Sequence, residues 1–284
     1  MKREAMFYEF LSDDIEFKKY LSAYYGFDNE NFILFRKWEK KATSLFYKIQ
    51  EFKKGYDSNN NQHDFFALIY SSKLDVWLEN TGKALSIFHK NLATENTLTK
   101  TIKPYFSPIE PSIVFLFDES NIAYYSDFGN SKSKLFSDYL KNTPPIFREK
   151  LVTIIKSWND DTIIHNDFKS SNVLIQEKGN NPSIIDWELA SVGDSTWDLA
   201  SLLAELIAEF YVINQHYASL KRVFYLFNSF LKSYNHIIDE EKLVGFTAIK
   251  LLDYSIQQGK IKDNSFVKLA EEFITEPDIL IGFL

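Results

Sequence analysis

Five polar side chains carry the chemistry open to this sequence: His165, Asp167, Lys169 and Asn172 in the run TIIHNDFKSSNVLI, and Asp186 after the apolar pair Ile184-Ile185. The spacing is H-x-D-x-K-x-x-N. Ile163 and Ile164 anchor it on one side, and Val173, Leu174 and Ile175 on the other, so the segment reads strand, polar loop, strand. Two hairpin-like strands then carry Asp167, Asn172 and Asp186 to one end of a small sheet. Phosphoryl transfer uses such a set, because the moving group needs positioning and charge neutralisation rather than covalent help. Asp167 suits the carboxylate that accepts or orients the proton of an attacking hydroxyl. Asp186 and Asn172 suit Mg²⁺, which takes hard oxygen ligands. Lys169 suits the cation that offsets charge in the transition state, and His165 suits a loop organiser rather than a base. Taken singly, each residue is ordinary loop chemistry, since Asp and Asn are common turn formers. The combination, flanked by apolar strands and followed by I-I-D, is specific.

The elements that must hold these residues read as follows. Residues 31–38 (NFILFRKW) and 43–49 (TSLFYKI) have strand character and suggest a hairpin, with Leu45, Tyr47 and Ile49 on one face. The competing reading is a helix over residues 39–54 ended by Gly55. Residues 55–63 (GYDSNNNQH) read as a loop or lobe connection, and residues 64–70 as a short apolar run. Leu74, Trp77, Leu78, Leu85 and Phe88 fall at helical spacing over residues 74–90. Three prolines (Pro104, Pro108 and Pro111) mark an irregular stretch. Residues 113–117 read as strand, and residues 134–140 and 146–158 as helices. Beyond residue 196 the pattern is helical almost to the end. The strand-bearing part therefore comes first and the mostly helical part last.

Composition and charge narrow the function classes. The chain has 284 residues and no cysteine, so disulfides, thiolate nucleophiles and cysteine metal sites are excluded. Its formal charge is −7, against the basic surplus of a nucleic-acid binder, so no nucleic-acid partner is expected. The N-terminus MKREAMFYEF has no apolar stretch of the signal-peptide kind. No apolar run is long enough to span a bilayer, so no membrane partner is expected and the cytoplasm is the expected compartment. The greasiest stretch, residues 199–213, carries Glu205 and Glu209 and reads as a buried or half-buried helix.

HNDFKSSNVLI followed by IIDWELASVGDSTWDLA resembles the aminoglycoside phosphotransferase and choline kinase superfamily, most strongly over residues 162–205 and weakly back to SIFHK at residues 86–90. The resemblance implies an α+β, protein-kinase-like two-lobe fold. An abbreviated, strand-containing nucleotide lobe would cover residues 1–72, and a mostly helical lobe with the catalytic loop residues 73–284. It implies ATP and Mg²⁺ as cofactors, Asp167 as catalytic base, and Asn172 and Asp186 as metal ligands. Asp198 would be a buried residue at a helix start that braces the catalytic loop. Lys169 departs from the His that many small-molecule kinases of the family carry, and is closer to the protein-kinase form.

The nucleotide lobe is where this chain departs most. It has nine glycines and no G-x-G-x-x-G, and Gly26 is the only glycine before residue 55. The best candidate for a shortened phosphate flap is residues 26–31 (GFDNEN), since Asn tolerates left-handed turns. Lys48 then stands where the family's nucleotide-binding strand lysine would be, with Lys37 as runner-up and Glu51 as a weak candidate for its helix partner. The acceptor stays open between a small molecule and a peptide Ser/Thr. A polycationic acceptor would call for acidic groups such as Glu205, Glu209, Asp239, Glu240 and Glu241, and a choline-like acceptor for an aromatic cage. The stretch from Pro111 through SDFGNS to the catalytic segment is also similar to kinase-like proteins of class V lanthipeptide and thioamitide pathways. Those phosphorylate a precursor peptide, and a partner lyase eliminates the phosphate. The contrasting class is a kinase-like pseudoenzyme or binding module, motivated by the missing glycine flap.

Overall fold

Ser44 ends a strand and begins a helix, and that junction sets the layout of the first part of the chain. In the computed structural model, described over residues 2–11, 13–22, 24–28, 33–36, 42–59, 73–108, 138, 139, 141–176, 181–211, 217–257 and 265–284, the Ser44 Oγ accepts the Tyr47 N–H at 3.2 Å. This is an N-cap. Strand β3 (Ala42–Ser44) stops there and helix α2 (Leu45–Asn59) starts. Leu45, Ile49 and Phe52 are buried at helical spacing, whereas Tyr47 is 53% exposed. The expected strand over residues 43–49 is thus corrected: it ends at Ser44, and residues 45–49 are helix. The alternation of Leu45, Tyr47 and Ile49 was a coincidence of the 3.6-residue period. The helix also runs past Gly55.

The hairpin of this region forms one step earlier. Strands β1 (Tyr24–Asp28) and β2 (Ile33–Arg36) pair antiparallel, with a register shift between Tyr24 and Gly26. Gly26 has φ +150°, and a Cβ there would meet nothing within 4 Å, so backbone conformation rather than space calls for glycine. Ahead of the hairpin, helix α1 (Lys2–Leu11) carries buried Phe7, Tyr8 and Leu11, and Tyr8 stacks on Tyr24.

Helix α3 (Leu74–Asn91) buries Leu74, Leu78, Leu85 and Phe88, as its spacing predicts. Short helix α4 (Thr97–Ile102) follows, then α5 (Pro145–Lys156), which begins on the proline pair. The site-bearing strands come next: β4 (Thr162–Ile164), β5 (Val173–Gln176), β6 (Ser183–Ile184) and β7 (Ser191–Gly193). β4 pairs with β7, and β5 lies between β3 and β6. The chain finishes with α6 (Ser195–Tyr211), α7 (Tyr217–Leu231), α8 (Glu240–Gln257), α9 (Ser265–Thr275) and the single turn α10 (Asp278–Ile281). α6 packs on α8 and α7, and α3 on α7. Where α3 crosses α7, a Cβ on Gly82 would stand 2.0 Å from the Phe230 carbonyl oxygen, so only glycine lets the backbones meet. The strand expected at residues 113–117, the run at 64–70 and most of the helix at 134–140 lie outside the described residues.

Candidate active site

The candidate catalytic segment hangs between two strand pairs. β4 delivers His165, residues 165–169 form the loop, and a 3-10 turn (Ser170–Asn172) leads into β5. β6 then delivers Asp186, which takes a left-handed φ of 68°. Asn166, at φ 67°, makes the reversal at the other end. A non-glycine residue in this region is uncommon and is held only where its surroundings over-determine it.

Asp198 supplies that determination from behind. It sits in the first turn of α6 with no exposure. Its carboxylate accepts the backbone N–H of His165 at 2.7 Å and of Asn166 at 2.9 Å. His89 of α3 stands 3.1 Å from the same carboxylate through Nε2, and its Nδ1 is 2.6 Å from the Tyr234 hydroxyl. Burial pushes the Asp198 carboxyl up, but the His89 bond and charge and the loop amides outweigh it and hold its pKa below the ordinary value. Asp198 thus makes two charge-assisted hydrogen bonds to the loop backbone.

His165 does not face a reacting group. Its Nδ1 accepts the Asp167 N–H at 3.3 Å and its Nε2 donates to the Ile185 carbonyl at 2.8 Å, which ties the loop to the residue before Asp186. The Ile185 N–H donates to the Asn172 carbonyl at 2.9 Å. These bonds bring Asp186 beside the loop end that carries Asn172. Phe7 of α1 stacks on Trp187 with ring centroids 4.0 Å apart and planes 12° apart, and the Ile184 N–H donates to the Tyr20 carbonyl at 2.8 Å. The N-terminal segment thus clamps the strand that ends in Asp186.

Asp167, Lys169 and Asn172 form one cluster. The Lys169 ammonium donates to Asp167 Oδ2 at 2.6 Å, with both side chains part-exposed. The Asn172 amide N–H donates to the Asp167 carbonyl at 3.0 Å and to Oδ2 at 3.3 Å. That leaves the Asn172 Oδ1 with no donor from the described residues, and the half-buried Asp186 carboxylate is likewise unbonded among them. One carboxylate and one amide oxygen, both unengaged among the described residues, are hard donors of the kind Mg²⁺ takes.

Three supporting groups were not predicted from the sequence in these roles. Glu205, one of the acidic groups that a polycationic acceptor would call for, accepts the Ser170 N–H at 2.7 Å and the Ser170 hydroxyl at 2.8 Å. Burial raises its pKa, against the pull of those two bonds. Glu209 likewise faces inward, to Gln50 at 2.6 Å and Lys53 at 3.1 Å of α2. His89, inside SIFHK, was marked only as part of a resembling helix; its spacing one turn from buried Leu85 was the available signal. Lys48 is placed differently from expectation. It lies on helix α2 rather than on a strand, 2.8 Å from Glu51 and 5.4 Å from the centre of the Trp77 ring, and it makes no bond to the loop. Lys37 lies outside the described residues.

Residues 130–220 match the model of the phosphotransferase enzyme family, a span that holds the loop, Asp186 and Asp198. No curated protein matches the chain. Among solved structures, a Plasmodium vivax ethanolamine kinase superposes with TM-score 0.53 at 14% identity, covering 100% of this chain and 73% of that one. A glucosamine kinase gives TM-score 0.51 at 11% identity, covering 88% of this chain and 61% of that one. A spectinomycin phosphotransferase in complex with AMP gives 0.50 at 13% identity, covering 99% and 83%. The mixed helix-and-strand, kinase-like fold implied by the resemblance is therefore the fold of this chain. No helix among the described residues is long and apolar enough to cross a membrane.

Proposed function

We propose that this chain is an ATP- and Mg²⁺-dependent phosphotransferase that moves the γ-phosphate to a hydroxyl of a small molecule. The observation that carries the reading is the single cluster of Asp167, Lys169 and Asn172, bonded through the Asn172 carbonyl and His165 to the residue preceding Asp186. Asp167 orients the acceptor hydroxyl and takes its proton as the new oxygen–phosphorus bond forms and the bond from the γ-phosphorus to the departing ADP breaks. Lys169, already on Asp167, brings a positive charge to the oxygens of the moving group. Asn172 Oδ1 and Asp186 would hold Mg²⁺, which when bound neutralises phosphate charge and orients the nucleotide. Asp198 and His165 keep the loop in this arrangement before substrate arrives. The two-lobe division at residue 72 belongs to the same reading. Lys48 is given no part in it, since its ammonium is engaged by Glu51 and the Trp77 face.

A small-molecule acceptor is favoured because the named substrates of the similar structures, ethanolamine, glucosamine and spectinomycin, are small molecules. No contact among the described residues favours a peptide acceptor or a lyase partner. The test is calorimetric binding of MgATP together with ATP turnover over a panel of hydroxyl compounds, for the wild type, Asp167→Asn and Asp186→Asn. Asp167→Asn is expected to keep nucleotide binding and lose turnover by about 10³-fold or more, and Asp186→Asn to lose the Mg²⁺ dependence of binding. A wild type that does not bind MgATP overturns the reading. Binding without turnover on any acceptor makes the chain a binding module.

A further inference from the structure

Glu205 is a carboxylate that the reaction above does not use. It lies on α6 seven residues after Asp198, two helical turns and about 10 Å along the axis, so the two carboxylates share one face. Asp198 takes the N–H groups of His165 and Asn166 at the front of the loop. Glu205 takes the back: Oε2 accepts the Ser170 N–H at 2.7 Å, and Oε1 accepts the Ser170 hydroxyl at 2.8 Å. Each oxygen thus serves one donor of the same residue.

Ser170 opens the 3-10 turn Ser170–Asn172 and has no exposure. The first N–H of a helical turn finds no partner within the turn, and the capping residue Lys169 makes no side-chain bond there. Without Glu205 that donor would be buried and unmet, which is rare in folded proteins. Asn172 stands two residues on. Its N–H donates to the Lys169 carbonyl at 2.9 Å, its side chain donates to Asp167, and its carbonyl accepts from Ile185. Among the described residues no other helix side chain bonds residues 169–172. Helix α2 packs on the same turn, and Glu209, one turn further along α6, accepts from Gln50 and Lys53 of α2. One face of α6 therefore holds both ends of the loop and the helix that covers its turn.

We propose that Glu205 is a positioning residue for Asn172: by holding Ser170 through both oxygens it fixes the turn that presents the Asn172 Oδ1, and so sets the Mg²⁺ requirement of nucleotide binding. Its part in metal binding rests on the phosphotransferase reading; its hold on the turn does not. The role lies in reach and hydrogen bonding rather than in negative charge. Glutamine can make both contacts, its Oε1 accepting the Ser170 N–H and its amide N–H donating to the hydroxyl oxygen. Aspartate keeps the charge but is one methylene short. A carboxylate that served instead to attract a cationic acceptor would depend on charge and tolerate the opposite exchange.

The test compares Glu205→Gln and Glu205→Asp with the wild type. Hydrogen exchange of the Ser170 amide, read by NMR without nucleotide, is expected to stay slow in Glu205→Gln and to run about tenfold faster in Glu205→Asp. The Mg²⁺ half-saturation of ATP binding is read by calorimetry at a temperature where each variant is folded. It is expected to rise about tenfold in Glu205→Asp and to stay with the wild type in Glu205→Gln. Loss of packing alone would lower the melting temperature and leave this half-saturation in place. Equal half-saturation in all three proteins, or a rise in Glu205→Gln that Glu205→Asp lacks, overturns the proposal, as does unchanged Ser170 exchange in Glu205→Asp. Ser170→Ala removes the hydroxyl bond from the other side and is expected to raise the half-saturation by less. If Glu205→Asp does not fold, an unchanged half-saturation in Ser170→Ala overturns the proposal instead. A wild type that does not bind MgATP sinks the phosphotransferase reading and with it the metal role, and the Ser170 exchange rates then decide the hold on the turn by themselves.

Discussion

Asp198 ties two residues of the candidate catalytic loop together from behind. Its carboxylate accepts two loop N–H groups and faces His89, all without solvent. Asp198→Ala leaves those donors buried and unpaired, and is expected to cost about 3–5 kcal/mol in urea unfolding. The pH dependence follows from the lowered pKa. A carboxyl whose folded pKa lies below its unfolded value contributes stability that is fully present above the unfolded value, near pH 3.9, and is lost as pH falls through the folded one. Melting temperature measured from pH 6 downwards should therefore fall less steeply in Asp198→Asn than in the wild type. The types and spacing of the loop residues were legible from the sequence because neighbours along the chain are held together by covalent reach alone. The partners of Asp198 and Glu205 were not, because His89 lies 109 residues from Asp198 and Ser170 lies 35 from Glu205.

At the scale of the element, α2 shows how a local pattern misleads. Seven residues with apolar Leu45, Tyr47 and Ile49 satisfy a strand alternation and a helical face equally. The deciding groups are Ser44, whose hydroxyl caps the helix, and Phe52, which extends the 3.6-residue stripe. Ser44→Ala should cost about 1 kcal/mol of stability without altering the loop, as measured by urea unfolding against turnover. The crossing of α3 and α7 depends on one missing side chain. Gly82→Ala drives a methyl onto the Phe230 carbonyl and is expected to destabilise by about 1–3 kcal/mol or more, since a backbone atom is the obstacle. α3 itself was readable from its repeat, because five apolar positions over four turns leave no competing period.

Across the whole molecule, Arg3, Phe7 and Tyr20 buttress the candidate site although none of them carries the chemistry proposed for it. Phe7 stacks on Trp187, Arg3 donates to the Ala190 carbonyl at 3.2 Å, and Tyr20 accepts from Ile184. Together they fix the segment that presents Asp186. Phe7→Ala should cost about 3–5 kcal/mol and also weaken the Mg²⁺ dependence of nucleotide binding, measured by calorimetry at a temperature where the variant stays folded. A variant that is destabilised but binds MgATP as the wild type does would show that the clamp serves folding alone.

The sequence by itself determined the kind of chemistry proposed for this chain and the loop assigned to it, since hydrogen-bond donors, acceptors and charges at fixed short spacing reach the same point in any fold that keeps the two flanking strands. It also determined the helical character of the chain beyond residue 196, through repeats long enough to exclude other periods. The tertiary structure decided what braces that loop, which helix stands behind it, and where the glycine-poor first part goes. Gly26 lies in a two-stranded hairpin, Lys48 turns away on a helix, and α1 closes over Trp187. Those placements depend on side chains far apart in sequence burying shared apolar surface and completing each other's hydrogen bonds. No window along the chain contains both partners.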